Sequence, residues 1–334
     1  MQPRLAFAYD PQFTEHVFAA EQLQRLAGLC DILRHEPLLE LTSPDARAVL
    51  AETEILVTGW GPPLIDAATL ATAPKLRLIA HSAGSIKYFI APEVVERVAV
   101  TSAVTANAVP VAEFTVAAIL FANKGVLAFR DIYRSERRHL RSHPLMASQL
   151  GNYQKTVGII GASRIGLKTI ELLAPYDFEL LLTSTSTTPE QAAALGVELV
   201  ELDELMARSD VASLHAPALP STRHMIDARR LALLRDGATF INTARGSIVD
   251  QDALLRELVA GRLNAVIDVT EPEVLPADSP LYELPNVLLT PHIAGAIGGE
   301  RERLGTLIVD EVERFVRGEP LLHRVPHELL GQLA

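Results

Sequence analysis

Short, continuously apolar runs alternate with amphipathic segments along the chain. Residues 55–58, 156–160 and 238–242 are examples of the runs, and residues 164–173 and 202–208 are examples of the segments. Strands that are apolar on both faces and alternate with helices are typical of parallel sheets covered by helices on each side. The sequence therefore predicts an α/β fold of doubly wound parallel sheets with right-handed crossovers.

Length and composition limit the classes of protein to which the chain can belong. At about 150 residues per domain, 334 residues predict two domains. A content of 49% apolar and 21% charged residues excludes disordered and collagen-like chains. Cys30 is the single cysteine, which excludes an intrachain disulfide and a zinc site built on cysteines, and no other metal site is predicted.

Charge and hydropathy bear on partners and location. The net charge of −11 disfavours nucleic acid and anionic membranes as partners. Residues 1–10 lack the apolar core and cleavage site of a signal peptide. The most apolar segment, residues 114–122, is shorter than the roughly 20 residues that span a bilayer. We therefore expect a soluble cytoplasmic protein.

The arginine- and histidine-rich residues 123–149 favour a solvated arm over a phosphate-binding patch, and such an arm could wrap a second subunit.

A glycine turn, Gly-Ala-Ser-Arg-Ile-Gly at residues 161–166, links the run at residues 156–160 to a helical pattern. The dinucleotide-binding fingerprint is G-x-G-x-x-G in this strand–turn–helix context. Gly161 makes the tight turn, Gly166 allows close packing of helix on strand, and Ser163 replaces the middle glycine. The motif is weak alone, and a plain strand–turn–helix is the alternative.

A dinucleotide at this turn has two further expected contacts. The backbone N–H groups of Arg164 and Ile165 would face its pyrophosphate from the start of the helix. The acidic residue that usually binds the adenosine ribose belongs at the end of the second strand, where residues 182–188 contain neither an acid nor a base. Hydroxyl groups can bond a ribose 2′-OH or a 2′-phosphate, so NAD and NADP both stay open, as does a polar loop without a cofactor role.

Charged side chains follow three later apolar runs. They are Arg245, after residues 238–242, Glu271 and Glu273, after residues 264–269, and His292, after residues 287–290. The carboxyl ends of the strands hold the ligand in doubly wound sheets, so these side chains are expected at one cleft. A guanidinium can grip a carboxylate, and a carboxylate can orient a histidine as a general acid. Each residue alone is more often structural, but together they predict an active site.

These motifs resemble the D-isomer-specific 2-hydroxyacid dehydrogenases, and the resemblance covers nearly the whole chain. Residues 157–166 resemble the family's cofactor loop, and residues 211–217, Val-Ala-Ser-Leu-His-Ala-Pro, resemble its strand and loop beside the nicotinamide. Residues 241–250, 267–273 and 291–295 resemble its arginine, Asp-Val…Glu and histidine motifs.

The resemblance implies a Rossmann cofactor domain inserted into a flavodoxin-like substrate domain. The substrate domain would comprise residues 1–104 and 297–334, and the dinucleotide-binding domain residues 105–296. It also implies a homodimer, built largely through the cofactor domains and the arm.

The resemblance also implies roles for the charged residues. Arg245 would bind the substrate carboxylate and polarise its carbonyl, and His292 would give the proton. Glu273 would accept a hydrogen bond from His292 and hold it charged until transfer. Glu273 lies five residues after Asp268, which matches the family spacing, whereas Glu271 does not.

The cofactor implied by the resemblance is NAD, with NADP possible. Ser184 stands where the family's ribose-binding aspartate usually stands, and Asp268 looks like its contact to the nicotinamide side. The residues expected to bind the cofactor are Gly161, Ser163, Arg164, Ile165, Gly166, Ser184, Ala216, Pro217, Thr243, Ala244, Asp268 and Gly295.

The substrate carboxylate in this family is also held by backbone N–H groups of the first domain, here at Ala83, Gly84 and Ser85. The family usually has Gly-Val-Asp where this sequence has Gly84, Ser85 and Ile86. Trp60, between two glycines, either caps the substrate pocket or packs as an ordinary aromatic residue.

The expected activity is hydride transfer between NAD(P)H and a small 2-oxo acid, such as glyoxylate or hydroxypyruvate, to give a D-2-hydroxy acid. Glu273 disfavours a formate dehydrogenase, where a glutamine is typical, and a chain end near residue 334 weakens a phosphoglycerate dehydrogenase with a regulatory tail. The rival is a non-catalytic, NAD(H)-sensing protein of the corepressor type. The net charge of −11 and the absence of a peptide-docking signature disfavour it.

Overall fold

The computed structural model describes residues 2–327, and contacts divide the chain into two compact units. The first unit comprises the chain up to Asn107 and the part from Ala296 onward, and the second unit comprises Ala108–Gly295. The domain boundaries predicted from the sequence, at 104/105 and 296/297, stay a prediction. Residue 1 and residues 328–334 of the predicted substrate domain lie outside the described residues.

Strands alternate with helices in both units. The described strands are β1 Arg4–Ala8, β2 Asp31–Ile32, β3 Ile55–Thr58, β4 Leu78–His81, β5 Ala99–Ser102, β6 Thr156–Ile160, β7 Glu179–Thr183, β8 Glu198–Leu199, β9 Val211–Leu214, β10 Thr239–Asn242, β11 Asn264–Ile267 and β12 Val287–Leu289. The described α-helices are α1 Ala20–Leu29, α2 Pro44–Glu52, α3 Ala67–Thr72, α4 Pro92–Arg97, α5 Val104–Asn123, α6 Val126–Glu136, α7 Arg164–Leu173, α8 Pro189–Ala194, α9 Leu202–Arg208, α10 Ala228–Leu233, α11 Gln251–Val259 and α12 Glu302–Arg317. The predicted fold class, doubly wound α/β, is confirmed.

The sheet of the first unit is parallel, with the strand order β2-β1-β3-β4-β5. Alternate residues of β1 pack on opposite faces of this sheet. Phe7 joins a core with Ile308 of α12, and Ala6 joins a core with Leu50 of α2. Both faces are therefore covered, which explains why the strands are apolar throughout.

The sheet of the second unit is also parallel, with the order β12-β11-β10-β9-β6-β7-β8. The order reverses between β6 and β9, since β7 lies on one side of β6 and β10 lies on the far side of β9. Connections that leave two neighbouring strands in opposite directions open a crevice at their carboxyl ends, where dinucleotides bind. The glycine turn follows β6 and therefore lies at this crevice.

Several elements differ from the sequence prediction. Strands β2 and β8, of two residues each, are too short to produce an apolar run. The amphipathic pattern of residues 14–27 predicts an earlier start for α1, which begins only at Ala20 because His16 has a left-handed backbone with φ of 65° that interrupts a helix. Helix α6 lies within the predicted arm, and none of its residues, all of which the structure describes, is buried.

Helix α5 corrects the prediction for the most apolar segment. It extends the nine residues of that segment to a helix of 20 residues with mean hydropathy of 1.6, and so has the length and composition of a membrane span. Half of this stretch is buried within the protein. In the second unit, Ile119 packs on Val157 and Ile159 of β6.

Candidate active site

The glycine turn admits no side chain at either of its glycines. Gly161 has φ of 106°, and a Cβ atom there would lie 2.8 Å from the backbone nitrogen of Ala216. A Cβ atom on Gly166 would lie 2.2 Å from the carbonyl oxygen of Gly161. Both contacts are with backbone atoms that cannot move aside, so these positions require glycine.

Ser163, in the place of the middle glycine, is the N-cap of α7. Its hydroxyl oxygen accepts a hydrogen bond from the backbone N–H of Gly166 at 3.2 Å. A serine in this position stabilises the start of a helix. Arg164 is exposed and Ile165 is half-buried in the first turn. Sequence reasoning missed the capping role, although Ser-x-x-Gly at a predicted helix start could have shown it.

Ser184 directly follows β7 and is half-buried. Its hydroxyl oxygen accepts hydrogen bonds from the backbone N–H of Ser186 at 3.2 Å and from the hydroxyl of Thr187 at 2.9 Å. The side chain therefore belongs to a compact hydroxyl-rich turn that carries no charge.

Arg245 lies in a tightly braced turn after β10. The side chain of Asn242 spans the turn, donating to the carbonyl of Arg245 at 3.1 Å and accepting from the N–H of Ala244 at 3.0 Å. A Cβ atom on Gly246 would lie 2.1 Å from the carbonyl carbon of Thr270, so this turn also packs against the loop after β11. The half-buried guanidinium donates to the carbonyl of Ala244 at 2.6 Å.

His292 and Glu273 are in contact. Nδ1 of His292 lies 2.5 Å from a carboxylate oxygen of Glu273, and both side chains are about half exposed. Glu271 is directed elsewhere and pairs with Arg223 at 3.0 Å. The structure thus brings together the glutamate and the histidine that the family spacing selects.

Asp268 holds the loop that carries His292. Its carboxylate is 2% exposed and accepts hydrogen bonds from the N–H groups of Ile293 at 2.8 Å and Ala294 at 2.9 Å, and from the hydroxyl of Thr290 at 2.6 Å. Its backbone carbonyl accepts from the N–H of His292 at 2.9 Å. These bonds hold His292 in a left-handed conformation with φ of 56°. The contact of Asp268 to a nicotinamide stays a prediction.

The other predicted cofactor residues of the second unit lie on loops after strands. Ala216 follows β9 and lies against Gly161. Thr243 is buried, with its hydroxyl 3.3 Å from that of Thr115. Ala244 is buried, and Pro217 and Gly295 are half-buried.

His215 is a residue of this region to which sequence reasoning assigned no role. It directly follows β9 and is 3% exposed, and its Nε2 atom lies 2.9 Å from the hydroxyl oxygen of Ser213. Among the described residues, no hydrogen-bond partner contacts its Nδ1 atom. Burial lowers the pKa of His215 to about 3. A histidine at the end of an apolar strand was the available signal.

The predicted substrate residues of the first unit follow β3 and β4. The carbonyl of Trp60 accepts from the N–H of Asp10 at 3.1 Å, and the guanidinium of Arg301 lies 5.2 Å from the centre of the indole ring.

The loop after β4 is braced from β5. The hydroxyl of Ser102 contacts the carbonyls of Gly84 at 2.5 Å and Ala83 at 3.2 Å, and the hydroxyl of Ser85 accepts from the N–H of Lys87 at 3.3 Å.

Comparison with known proteins decides the family. Residues 116–294 match the D-isomer specific 2-hydroxyacid dehydrogenase, NAD binding domain. A glyoxylate reductase of Korarchaeum cryptofilum is 33% identical over 270 residues, which cover 80% of each chain. This chain belongs to that family. A D-3-phosphoglycerate dehydrogenase of Mycobacterium tuberculosis is 33% identical over 283 residues, and the match covers 83% of this chain and 50% of that protein. A phosphoglycerate oxidoreductase from Rhizobium etli has the same fold, with a TM-score of 0.81, 24% identity and coverage of 97% of this chain and 98% of that one.

The family predicted from the motifs is confirmed. The protein is therefore a dehydrogenase of D-2-hydroxyacids, and its second unit is an NAD-binding domain. The described residues fit this cofactor. The turn at the crevice excludes side chains, and His215, which packs against the turn, has a buried Nδ1 atom without a partner among the described residues. Among residues 2–327, no group of three or more His, Cys, Asp and Glu side chains could hold a metal ion.

Proposed function

We propose that this dehydrogenase reduces a small 2-oxo acid, of the size of glyoxylate or hydroxypyruvate, to the D-2-hydroxy acid. The observation that carries the proposal is the contact of His292 with Glu273 on loops of an NAD-binding domain. The similarity to a glyoxylate reductase of Korarchaeum cryptofilum supports a small substrate.

Arg245 binds the carboxylate of the substrate and polarises its carbonyl. The turn bonds of Asn242 and the close packing at Gly246 hold the backbone of Arg245 in one conformation. A pre-positioned guanidinium stabilises the charge that develops on the carbonyl oxygen. The backbone N–H groups of Ala83, Gly84 and Ser85 are proposed to bind the same carboxylate, and Trp60 to limit the length of the substrate.

His292 gives a proton from Nε2 to the oxygen of the substrate carbonyl. Glu273 accepts a hydrogen bond from Nδ1, which leaves Nε2 directed away from the carboxylate and stabilises the protonated ring. Asp268 acts as a positioning residue, because its carboxylate is occupied by the loop that carries the histidine.

The cofactor, when bound, supplies the hydride. The proposed residues that hold it are those predicted from the sequence: Gly161, Ser163, Arg164, Ile165, Gly166, Ser184, Ala216, Pro217, Thr243, Ala244, Asp268 and Gly295. Ser184 offers a hydroxyl to the adenosine ribose and repels neither a 2′-OH nor a 2′-phosphate, so we propose that NADPH is accepted beside NADH.

A kinetic screen of purified protein tests the substrate. Glyoxylate, hydroxypyruvate, pyruvate, phenylpyruvate and 3-phosphohydroxypyruvate are compared by NADH consumption, with His292→Ala as the control. The proposal expects the highest kcat/KM for glyoxylate or hydroxypyruvate. A higher value for phenylpyruvate or the phosphorylated acid would contradict it, as would equal rates in the control variant.

We further propose a cytoplasmic homodimer formed through the second unit. Exposed aromatic side chains on this unit support it, since Phe121 is 59%, Tyr133 61% and Tyr153 72% exposed. Light scattering on the purified protein measures the mass, and a monomer at working concentration would contradict the proposal. Cell fractionation checks the location.

A further inference from the structure

The hydrogen bonds around His215 select one form of its ring. If Nε2 carried the proton, it would donate to Ser213, whose own hydroxyl hydrogen would then lack an acceptor among the described residues, and Nδ1, an acceptor in this tautomer, would lack a donor. If Ser213 donates to Nε2, its hydroxyl is satisfied and the proton lies on Nδ1. Buried polar groups without partners cost free energy, so the second arrangement is favoured. It leaves a single unsatisfied group, an Nδ1–H donor.

The backbone and Cβ of the residue that carries this donor lie beside the glycine turn. The backbone N–H of His215 donates to the carbonyl of Ile160 at 2.8 Å, at the end of β6. The Cβ of His215 lies 3.3 Å from the place where a side chain on Gly166 would begin, and its carbonyl carbon lies 3.0 Å from the corresponding place on Gly161. His215 therefore packs directly against the two positions at which the turn excludes side chains.

The donor is also uncharged. Burial lowers the pKa of His215 to about 3, so the ring stays neutral throughout the physiological range. A neutral N–H can bond a phosphate, ribose or carboxamide oxygen, and its contribution does not change with pH near neutrality.

We propose that Nδ1–H of His215 donates a hydrogen bond to an oxygen of the bound dinucleotide, and that Ser213 is the positioning residue that keeps the proton on Nδ1. The proposal rests on the family's cofactor and not on the substrate proposed above. Binding of the cofactor then satisfies a donor that the protein alone leaves without a partner.

The first test is the NADH dissociation constant, measured by calorimetry without any 2-oxo acid. His215→Asn can place its amide N–H where Nδ1 lies, whereas His215→Gln places its amide nearer to the site of Nε2. We expect the asparagine variant to bind NADH within about threefold of wild type. The glutamine variant should bind roughly tenfold more weakly, which corresponds to about 1.4 kcal/mol. Ser213→Ala should weaken binding by less than the glutamine variant does.

The second test separates a ligand donor from a structural residue by thermal unfolding. The double variant Ser213→Ala, His215→Leu removes both the unsatisfied donor and the hydroxyl that would otherwise lose its partner. The Tm without NADH should stay equal or rise, and the increase in Tm caused by saturating NADH should shrink. If His215 were merely structural, the double variant would have a lower Tm without NADH, and the increase in Tm caused by NADH would be unchanged.

A matched control lies in the first unit. His81 is equally buried, and its Nδ1 contacts the hydroxyl of Thr58 at 2.9 Å. His81→Leu should lower the Tm without NADH and leave the increase caused by NADH as in wild type. If this variant does not fold, His81→Asn should leave the NADH dissociation constant within about twofold of wild type.

Three results would overturn the proposal. They are NADH binding equal to wild type in His215→Gln, weaker binding in His215→Asn than in His215→Gln, and an unchanged NADH-induced rise of Tm in the double variant. The asparagine and glutamine pair decides the question if the double variant fails to fold. Intact NADH binding with no turnover of 2-oxo acids would leave this proposal standing and contradict only the proposed function.

Discussion

In each of the two sheets, a buried histidine lies at the carboxyl end of an inner strand, and the two histidines differ in their hydrogen-bond partners. His81 is the last residue of β4, and His215 directly follows β9. Burial lowers the pKa of each to about 3. His81 contacts Thr58 and packs on the ring of Phe89, with centroids 4.7 Å apart, whereas Nδ1 of His215 has no partner among the described residues. Equal burial therefore does not mean equal hydrogen bonding, and the unsatisfied atom is the reason that a ligand contact is proposed for His215 and not for His81.

The two sheets also differ at the place where the strand order reverses. In the first sheet the order reverses between β1 and β3, and this place is bridged by the hydrogen bond from Asp10 to Trp60. A Cβ on Gly59 would lie 2.6 Å from the side chain of Thr14, so glycine here admits the protein's own side chain. In the second sheet, Gly161 instead lies against the backbone of Ala216. Similar topology thus produces one crevice closed by the chain and one lined by glycine and alanine.

The largest expected effect tests whether the second unit carries the chemistry. His292→Ala and Arg245→Ala should each lower kcat/KM for 2-oxo acid reduction by roughly a hundredfold or more, the scale of general acid and electrostatic groups. Both residues are at least partly exposed, so both variants should unfold at the temperature of wild type. Steady-state kinetics and thermal unfolding measure the two effects. Wild-type rates in either variant would remove that residue from the site.

A smaller effect separates the two glutamates. Glu273→Gln should lower kcat/KM by about thirtyfold, or ~2 kcal/mol, the scale of a hydrogen bond to a charged group. The loss should appear in kcat, because an amide orients the ring of His292 for proton transfer less strongly than a carboxylate does. Glu271→Gln is the matched control and should keep the wild-type kcat, since Glu271 pairs with Arg223. Exchange of these two results would show that the contact seen for Glu273 is not the functional one.

The two buried histidines should both make the folded protein less stable as the pH falls. Each has a pKa of about 3 when folded, below the usual value of 6.5, so the unfolded chain binds the extra proton. Their contribution is therefore complete above about pH 6.5 and is lost as the pH falls towards 3. Each histidine should lower the free energy of unfolding by up to roughly 1.4 kcal/mol per pH unit in this window.

Urea unfolding between pH 7 and pH 5 measures this slope. His81→Asn and His215→Asn should each reduce it, although only the second residue is proposed to contact NADH. A slope that responds to one variant alone would show that the two environments differ in more than hydrogen bonding.

The smallest effect concerns the ribose end of the crevice. Ser184→Asp should lower kcat/KM for NADPH by roughly tenfold, because a carboxylate repels a 2′-phosphate, and should change the value for NADH by less than about threefold. The ratio of kcat/KM for the two cofactors is the measurement. An unmoved ratio would mean that the adenosine ribose lies away from the turn at Ser184.

The sequence alone was sufficient for the fold class and for the loops on which the candidate site residues lie. Apolar runs predicted β3 and β6 with their observed bounds, because a strand covered on both faces is apolar at nearly every position. Glycines at 161 and 166 followed from the strand–turn–helix pattern. The carboxyl ends of parallel strands predicted the loops of Arg245 and His292. The apolar runs, the glycine turn and the loops after the strands depend on residues that are neighbours in the chain, so they can be predicted from the sequence.

Tertiary structure decided which polar atoms find partners. The spacing in the chain places Ser213 and His215 on one side of a strand, but only packing shows that Nδ1 is enclosed without an acceptor. Packing likewise directs Glu271 to Arg223 and Glu273 to His292. Periodicity determines which face a residue lies on, whereas hydrogen-bond satisfaction depends on atoms from distant segments that meet only in the folded protein.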